Sequence, residues 1–344
     1  MLAVRGVLSI SVRHHPSIVQ PRDVVAIEPD SARLQEIFFP YARERTAAIL
    51  LSGNRFVYYT CAEVAASILK NRQIWFRNAL CMNDFKEISH GYECLLAAWQ
   101  SEGGDILKAA MAQCNAELPS DVEAFFNQLL PSINADTYLY CVSEHYAEED
   151  NRGRLSMWRA YGGATGIALV FNGAVMHASS DVLGAYSSPV LYADPPEFAD
   201  QFRKTALSVQ RGVPYLRELE PHIVRNAVFQ MMRYAMLCTK HPAFREEKEW
   251  RVIASPSIYP GGRNKQEVEV INGVPQLVVK IELLNDLERG LTGLALPELL
   301  DRIIVGPCAF PAVTAFALQR LLADAGVEDP ARIVFADIPL RHDA

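Results

Sequence analysis

Apolar and polar residues alternate or run together along the chain in a pattern that predicts many short strands. Runs rich in aromatic and β-branched side chains favour strands, because such side chains pack well on a pleated surface. Asn272 and Gly273 form a strong turn signal between two such runs and predict a hairpin. The predicted strands span residues 56–59, 74–76, 138–142, 166–171, 189–192, 250–253, 267–270, 277–280, 303–305 and 333–335.

Helical spacing of apolar residues predicts helices between these strands. Thr60 is expected to cap the helix that follows the first strand, and Pro40 is expected to kink an earlier one. Gly103 and Gly104 are expected to break the chain, and Pro131 to end a helix. The predicted helices span residues 31–51, 61–70, 85–99, 121–130, most of 195–240, and 311–325.

Strands and helices interleave irregularly, which predicts an α+β fold. The last strand, helix and strand, at residues 303–305, 311–325 and 333–335, predict a closing βαβ unit. Residues 1–52 are expected to form an N-terminal appendage of one strand and one helix. Residues 53–344 are expected to form one α+β domain with helical insertions near 86–130 and 195–240. The composition, 50% hydrophobic and 21% charged, is sufficient for a large core.

Charge and cysteine usage limit the classes of partner. The net charge is −7, so no basic surplus indicates nucleic acid or an anionic membrane, although net charge alone does not exclude nucleic acid. Seven cysteines without a C-x-x-C pair argue against a zinc site and a disulfide framework. They predict a reducing, cytoplasmic location. No apolar run reaches membrane-spanning length.

The charged run over residues 245–251 is the most informative chemical feature. On a strand, Glu247, Glu249 and Arg251 would share one face because side chains alternate with a period of two. Two carboxylates are costly to bury unless they are paired or contact a polar ligand. The run is therefore either the solvated face of an edge strand or a pair of carboxylates that lines a cleft.

Three other motifs each have two interpretations. Trp158 and Tyr161, three residues apart, either pack in the core or form a stacking wall for a planar ligand. Asp84 and Glu87 either bind a metal or begin a helix after a turn. The glycine-rich residues 162–166 resemble a phosphate loop, but they precede a predicted strand, which favours an ordinary turn.

Several segments together resemble a bacterial family catalogued as domain of unknown function 2971. The resemblance covers about residues 55–310. Its motifs include Met82-Asn83-Asp84-Phe85-x-Glu87 and Met157-Trp158-x-x-Tyr161. The segments that carry it are residues 57–60, 68–76, 82–87, 141–144, 157–161, 166–171, 247–253 and 304–307.

The order of these motifs is similar to that of the ADP-ribosyltransferases. Those enzymes place Arg or His, then Ser or Thr two residues later, on a first strand, a Ser or Tyr on a middle strand, and Glu-x-Glu on a late strand. The matching residues here are Tyr58 and Thr60, then Ser143, then Glu247 and Glu249. The resemblance implies a mixed, split-sheet core.

The resemblance also implies that NAD is the cofactor, used as a substrate. Tyr58 stands where those enzymes hold NAD with Arg or His, and the role of anchoring NAD would then pass to a neighbour such as Arg251 or Arg77. An aromatic wall formed by Tyr58, Trp158 or Tyr161 would stack against nicotinamide.

The implied reaction is the transfer of ADP-ribose from NAD to a macromolecule or to water. Glu249 would stabilise the oxocarbenium-like ribose of the transition state, and Glu247 would deprotonate or orient the acceptor. Thr60 and Ser143 would donate hydrogen bonds to the carboxamide or a phosphate. This interpretation requires Tyr58, Ser143 and Glu249 to meet around one hollow.

Two other functions are consistent with the same residues. A metal-dependent nuclease would gather Asp84, Glu87, Glu247 and Glu249 around Mg²⁺. A non-catalytic ligand-sensing or interaction module of a bacterial defence or toxin system would instead hold the two glutamates and Arg251 in an ion-pair network. That network would include Arg245 or Lys248.

Overall fold

A computed structural model describes residues 32–82, 87–177, 181–260 and 262–338 of the chain. The strands are β1 (Arg55–Cys61), β2 (Gln73–Asn78), β3 (Tyr138–His145), β4 (Thr165–Asn172), β5 (Ala185–Pro189), β6 (Leu191–Tyr192), β7 (Thr239–Lys240), β8 (Glu249–Ala254), β9 (Lys265–Ile271), β10 (Val274–Glu282), β11 (Leu300–Cys308) and β12 (Ile333–Phe335). The helices are α1 (Ala32–Phe38), α2 (Pro40–Leu51), α3 (Ala62–Asn71), α4 (Glu87–Trp99), α5 (Glu102–Cys114), α6 (Leu118–Ala135), α7 (Leu155–Met157), α8 (Pro195–Leu216), α9 (Pro221–Leu237), α10 (Leu296–Leu299) and α11 (Pro311–Asp324).

Ten of the described strands form one mixed sheet, and the predicted combination of helices with a mixed sheet is confirmed. The main order is β12-β11-β4-β1-β3-β2-β10-β9, and β8 joins β3 to β5 at a branch. The predicted hairpin is formed by β9 and β10, which pair around Asn272 and Gly273. The predicted closing βαβ unit is β11, α11 and β12, with the two strands parallel.

The sheet divides along β3. One edge of β3 pairs with β8 over residues 138–143. The other edge pairs with β2 at residues 138–139 and with β1 at residues 143–145. Because β1 and β2 meet β3 at opposite ends, they diverge beside Tyr140, whose ring packs against aromatic rings from both strands.

The register of β3 and β8 defines two faces of the sheet. Directly opposed residues of an antiparallel pair point to the same side. Ser143 is opposite Glu249, and Cys141 is opposite Arg251, so these residues share what we call the back face. The alternate residues of the two strands, such as Tyr140 and Trp250, lie on the front face.

Helices cover both faces. The segments predicted as helical insertions form α4, α5, α6, α8 and α9, which share one hydrophobic cluster with Leu139 and Ile253 on the back face. Helices α3 and α11 pack against the front face through residues such as Leu69 and Leu322. Among the helices that the structure describes, none is both long and apolar enough to cross a membrane.

Two helix predictions are wrong because tertiary packing outweighs local preference. Gly103 and Gly104 lie inside the first turn of α5 and do not break the chain. A Cβ on Gly103 would lie 3.1 Å from the backbone of Arg203 in α8, so glycine permits this close approach of the two helices. Pro131 lies within α6, which continues for another turn that buries Ile133.

Two further predictions at element boundaries need correction. Thr60 does not cap a helix: it belongs to β1, and Cys61 is the residue that precedes α3. The strand predicted over residues 189–192 is two elements: residue 189 ends β5, and residues 191–192 form β6. Both errors lie within one or two residues of an element end, where local sequence patterns carry least information.

The described part of the N-terminal segment packs on the body of the protein. The chain breaks at Phe39, and Pro40 occupies the first turn of α2, which agrees with the predicted kink. Leu34 and Ile37 of α1 lie in the hydrophobic cluster of the helical layer. The strand expected in the first residues of the chain lies outside the described residues.

Candidate functional site

The acid pair predicted on one strand is divided between a turn and a strand. Glu247 ends a 3₁₀ turn, Lys248 has a left-handed φ of 45°, and β8 begins at Glu249. The predicted alternation is therefore wrong at Glu247, because the left-handed residue changes the chain direction before the strand starts. It holds from Glu249 onward, where Arg251 Nε lies 2.8 Å from Glu249 Oε1.

A lysine that the sequence interpretation missed joins the two acids. Lys240 Nζ lies 2.6 Å from Glu247 Oε2 and 3.1 Å from Glu249 Oε2. The hydroxyl of Tyr161 donates to Glu247 Oε1 at 2.8 Å. We call Lys240, Glu247, Glu249, Arg251 and Tyr161 the charged cluster.

The cations expected in this network bind elsewhere. Arg245 donates to the carbonyl oxygen of Tyr192, and Lys248 lies over the ring of Tyr146. Lys240 takes their place because β7 pairs with β6, and the hydroxyl of Tyr192 in β6 accepts a hydrogen bond from the backbone N–H of Glu249. No local pattern indicates this contact, since Lys240 precedes Glu249 by nine positions and a turn lies between them.

Electrostatics distinguishes the two glutamates. Burial alone would raise the pKa of Glu249, but the charges of Arg251 and Lys240 outweigh it and lower the pKa to about 2. Burial raises the pKa of Glu247, the charge of Glu249 adds to this, and Lys240 opposes it. The Glu247 side chain is 13% exposed, whereas Arg251 is fully buried. Glu249 is therefore a buried, ionised carboxylate whose charge is balanced by Arg251 and Lys240. Glu247 is the carboxyl group that solvent reaches.

The structure does not bring all the predicted site residues together. Val57 is opposite Ser143, so Ser143 shares the back face with Val57 and with Glu249. Side chains along β1 alternate between the two faces, so Tyr58 and Thr60 point to the front face, opposite to Val57. There the Tyr58 ring packs on Tyr140. The expected grouping of Tyr58, Thr60, Ser143 and Glu249 around one hollow is wrong, because a single position of register decides the face.

Trp158 is a core residue. Only 2% of its surface is exposed, its Nε1 donates to the carbonyl oxygen of Arg152 at 2.7 Å, and its ring meets Tyr59 edge to face. It begins a π-helical turn that ends at Gly162, so Tyr161 does not follow α-helical spacing. Trp158 and Tyr161 therefore do not form the expected stacking wall.

The residues of the nuclease hypothesis are described only in part. Asp84 lies outside the described residues, as does the side chain of Glu87. Within the described ranges, no group of three or more His, Cys, Asp or Glu side chains is arranged to hold a metal ion. Glu247 and Glu249 are instead held by Lys240.

A cavity of about 410 Å³ lies against the front face, next to the ring of Trp250. It extends around the edge strand β5, because residues from both faces of β5 line it. Residues of α2, of α9 and of the turn before β5 also line it. Its aromatic wall includes Phe39, Phe56, Phe76, Tyr140, Tyr234 and Trp250. We call it the Trp250 cavity.

Two buried polar groups in this lining lack partners. Tyr140 is 6% exposed and Gln230 is 4% exposed. The Tyr140 hydroxyl and Gln230 Nε2 have no hydrogen-bond partner in the described part of the chain. Burial raises the pKa of Tyr140 well above its ordinary value, so this hydroxyl stays protonated and remains a donor. Such groups cost stability unless a ligand or a water satisfies them.

The cavity wall is connected to α2 through one buried acid. Trp250 Nε1 donates to Glu144 Oε1 at 2.9 Å. Glu144 also accepts from Arg45 of α2 at 2.6 Å and from the Tyr146 hydroxyl. Since α2 also lines the cavity through Ala42, one helix of the lining is connected through Glu144 to Trp250.

The sequence interpretation missed this cavity, although one signal for it exists. The front-face positions of four strands carry large aromatic residues, namely Phe56, Phe76, Tyr140 and Trp250. The local pattern around each of them indicates only a strand. Recognising them as one wall requires the strand order, which the local patterns do not provide.

Part of the chain matches one known protein family. Residues 157–252 match the model of a family described as a protein of unknown function, DUF2971. No match was found among curated proteins or among solved structures. The DUF2971 match contains every residue of the charged cluster, together with Trp158, Gln230 and Trp250.

The acid dependence of stability tests the charged cluster. A carboxylate whose pKa is lowered on folding stabilises the protein above its unfolded pKa, and this stabilisation is lost as the pH falls through its folded pKa. For Glu249 that range runs from about 4.5 down to about 2. We expect the stability difference between the wild type and Glu249→Gln, measured by urea unfolding, to shrink across this range. The exposed Glu218→Gln is the control, with a small difference throughout. A Glu249→Gln difference that stays constant down to pH 3 would contradict the assignment.

Proposed function

We propose that the protein is a ligand-binding module that holds a mainly apolar, aromatic small molecule in the Trp250 cavity. One observation carries the proposal. A cavity of about 410 Å³ has a mainly aromatic and aliphatic lining, and that lining includes Tyr140 and Gln230, each of which carries one buried polar atom without a partner among the described residues. Cavities of this size with a mainly apolar, aromatic lining are typical of small-molecule sites.

The chemistry of the lining favours binding over catalysis. Among the described residues that line the cavity, none is Asp, Glu, Lys or Cys. His177 Nε2 is hydrogen-bonded to Asn54 at 2.9 Å, and its ring packs beside Trp250. Glu249, the strongest sequence candidate for catalysis, lies on the opposite face of the sheet and is paired with two cations.

A cavity-blocking substitution tests the proposal. Ala42 of α2 lines the cavity, whereas Ala48 of the same helix is exposed and lies outside the lining. We expect Nile red, a neutral aromatic dye, to bind the wild type at one saturable site. Ala42→Trp should weaken this binding by about tenfold or more, because overfilling a packed site costs on the order of 1–3 kcal/mol.

The matched variant Ala48→Trp should bind the dye as the wild type does. Equal binding by all three proteins would place the dye elsewhere and overturn the proposal. Circular dichroism of the variants separates loss of binding from loss of fold.

ADP-ribosyl transfer from NAD is the second candidate function, and Glu247 is the observation that favours it. Its pKa is raised, it receives a hydrogen bond from Tyr161, and solvent reaches it. A carboxyl group with these properties suits proton transfer to or from an acceptor. The late Glu-x-Glu motif of the ADP-ribosyltransferases corresponds to this residue and to Glu249.

Nicotinamide release from NAD tests this second function. The wild type, Glu247→Gln and Glu249→Gln are incubated with NAD, and the released nicotinamide is measured. Loss of release in Glu247→Gln, with the fold intact, would support transfer or hydrolysis at the charged cluster. Equal release by the wild type and Glu247→Gln would exclude Glu247 as the acid or base.

A further inference from the structure

Arg233, on α9, is a buried cation whose hydrogen-bond partners are neutral. Only 1% of its surface is exposed, and a guanidinium keeps its charge inside a protein. Its Nη1 donates to Gln230 Oε1 at 3.3 Å, and its Nη2 donates to Ser255 Oγ at 2.6 Å. Its Nε has no hydrogen-bond partner in the described part of the chain. Within that part, no carboxylate forms an ion pair with Arg233.

This lack of a counter-charge sets Arg233 apart. The three other buried Lys and Arg side chains that the structure describes each have an acidic partner, in the pairs Lys240–Glu247, Lys240–Glu249, Arg251–Glu249 and Lys280–Glu267. A buried charge is costly unless an opposite charge lies nearby. An anion from outside the chain would therefore stabilise the surroundings of Arg233.

Arg233 contacts three residues that line the Trp250 cavity. Its partner Gln230 belongs to the lining, and its Cζ lies 5.5 Å from the ring centroids of both Tyr234 and Tyr259, which also belong to it. A charge acts over several ångströms in a protein interior, because the interior screens it less than water does. The positive potential of Arg233 therefore extends into the α9 side of the cavity.

No negative side chain in the described lining offsets this potential. The lining includes no Asp or Glu among those residues, and its cationic side chain, Arg43, is paired with Glu36 at 2.9 Å. Burial lowers the pKa of His177, so this ring is neutral near pH 7. The other polar side chains of the described lining are uncharged: Gln35, Thr46, Tyr140, Asn172, Tyr186, Ser187, Ser188, Gln230, Tyr234 and Tyr259.

Two acids next to the lining do not offset it either. Glu144 accepts a hydrogen bond from Trp250, but it is already paired with Arg45. Asp181 accepts from the hydroxyl of Tyr186 at 2.8 Å, but it is exposed, so water and salt screen its charge. Arg233 thus leaves this side of the cavity with one uncompensated positive charge.

We infer that the ligand of the Trp250 cavity is an amphipathic monoanion, an aromatic molecule that carries one carboxylate. The inference rests on the proposed function and narrows it to a ligand class. The aromatic and aliphatic walls hold the apolar body of the ligand. The potential of Arg233 stabilises the carboxylate on the α9 side. A single uncompensated cation balances one negative charge and not several.

A matched pair of ligands tests the class. 2-Naphthoate carries one carboxylate at pH 7, and 2-naphthamide has the same shape with a neutral amide in its place. Binding of each ligand is measured by its displacement of Nile red. Comparing each ligand across the wild type and the variants cancels the different hydration of the two ligands. The net charge of the chain is −7, so non-specific attraction does not favour the naphthoate.

Arg233→Met removes the charge and keeps most of the side-chain length. We expect it to weaken the binding of 2-naphthoate about tenfold or more, because a nearby charge is only partly screened inside the protein. The affinity for 2-naphthamide should stay within about twofold of the wild type. Arg233→Lys keeps the charge and should retain most of the affinity for 2-naphthoate.

The variants should keep the fold. Arg233→Met leaves no ion-pair partner behind among the described residues, unlike the loss of a cation from a buried ion pair. Circular dichroism checks this expectation.

Arg225→Met is the matched control. Arg225 lies about two turns earlier on α9, pairs with Asp121 at 3.6 Å and lies outside the cavity lining. The same change of net charge on the same helix should leave both affinities unaltered. Ala42→Trp, which fills the cavity, should weaken the binding of both ligands.

The outcomes separate this inference from the proposed function. If Nile red binds in the cavity but 2-naphthoate does not displace it, the anionic class is wrong while the cavity remains a binding site. The same conclusion holds if Arg233→Met changes the two affinities equally or changes neither. Equal losses of 2-naphthoate binding in Arg233→Met and Arg233→Lys would show that shape acts rather than charge, which also overturns the inference. If Nile red does not bind the wild type, the proposed function fails together with the inference.

Discussion

Replacing Arg251 with Met is expected to lower the free energy of unfolding by about 3–5 kcal/mol, the cost of removing one partner from a buried ion pair. Arg251 is fully buried, its Nε donates to Glu249 at 2.8 Å, and its Nη1 donates to the carbonyl oxygen of Leu237. The substitution leaves a buried carboxylate with Lys240 as its remaining cation and leaves the carbonyl oxygen without this donor.

An exposed ion pair provides the control for Arg251→Met. Arg320 and Asp324, one turn apart on α11, lie 3.2 Å from each other with most of the arginine in solvent. Arg320→Met should cost only about 0.3–0.5 kcal/mol. Urea unfolding of both variants at pH 7 measures the difference. Similar losses in the two variants would show that the charged cluster is solvated and contributes little.

The double variant Arg251→Met with Glu249→Gln separates a pairing role from general packing. Removing both charges eliminates the uncompensated anion, so the double variant should be more stable than the sum of the two single losses predicts. Additive losses would mean that Arg251 acts through its volume. This matters for function, because an arginine that anchors NAD would have to be reachable, and Arg251 is not.

Local patterns predicted most of the elements because they depend on neighbouring residues. The hairpin of β9 and β10 follows from Asn272 and Gly273, and the closing βαβ unit follows from two apolar runs around a helical one. The errors at Gly103 and Pro131 have the opposite cause. Contacts with distant residues fixed the helices there and outweighed the usual effect of glycine and proline.

The candidate site was harder to predict because it depends on register and strand order. The spacing of Tyr58 and Thr60 is visible in the sequence, but the pairing of Val57 with Ser143 decides that they face away from Glu249. The approach of Lys240 to both acids is equally non-local. The sequence correctly indicated that the acids need partners, and it did not identify the partner.

The two buried tryptophans of the predicted motifs have different roles, and the difference guides where to seek function. Trp250 faces a cavity, which leaves room for a ligand beside its ring. Trp158 is enclosed by glycines: a Cβ on Gly306 would lie 2.6 Å from its ring, and one on Gly166 would lie 3.0 Å away. The glycines let β4 and β11 approach the indole closely, which leaves no space for a planar ligand there.

Trp158→Ala is therefore expected to lower the free energy of unfolding by about 3–5 kcal/mol, the cost of removing a large buried aromatic side chain. Gly306→Ala alone should cost about 1–3 kcal/mol because its methyl group would meet the Trp158 ring. Combined with Trp158→Ala, the same methyl group enters the space that the indole vacated, so the second substitution should cost much less than it does alone.

Phe316→Ala, on the exposed face of α11, is the control and should change stability little. Strictly additive losses at positions 158 and 306, measured by urea unfolding, would contradict the tight packing of Trp158 and reopen its role as a ligand-stacking residue.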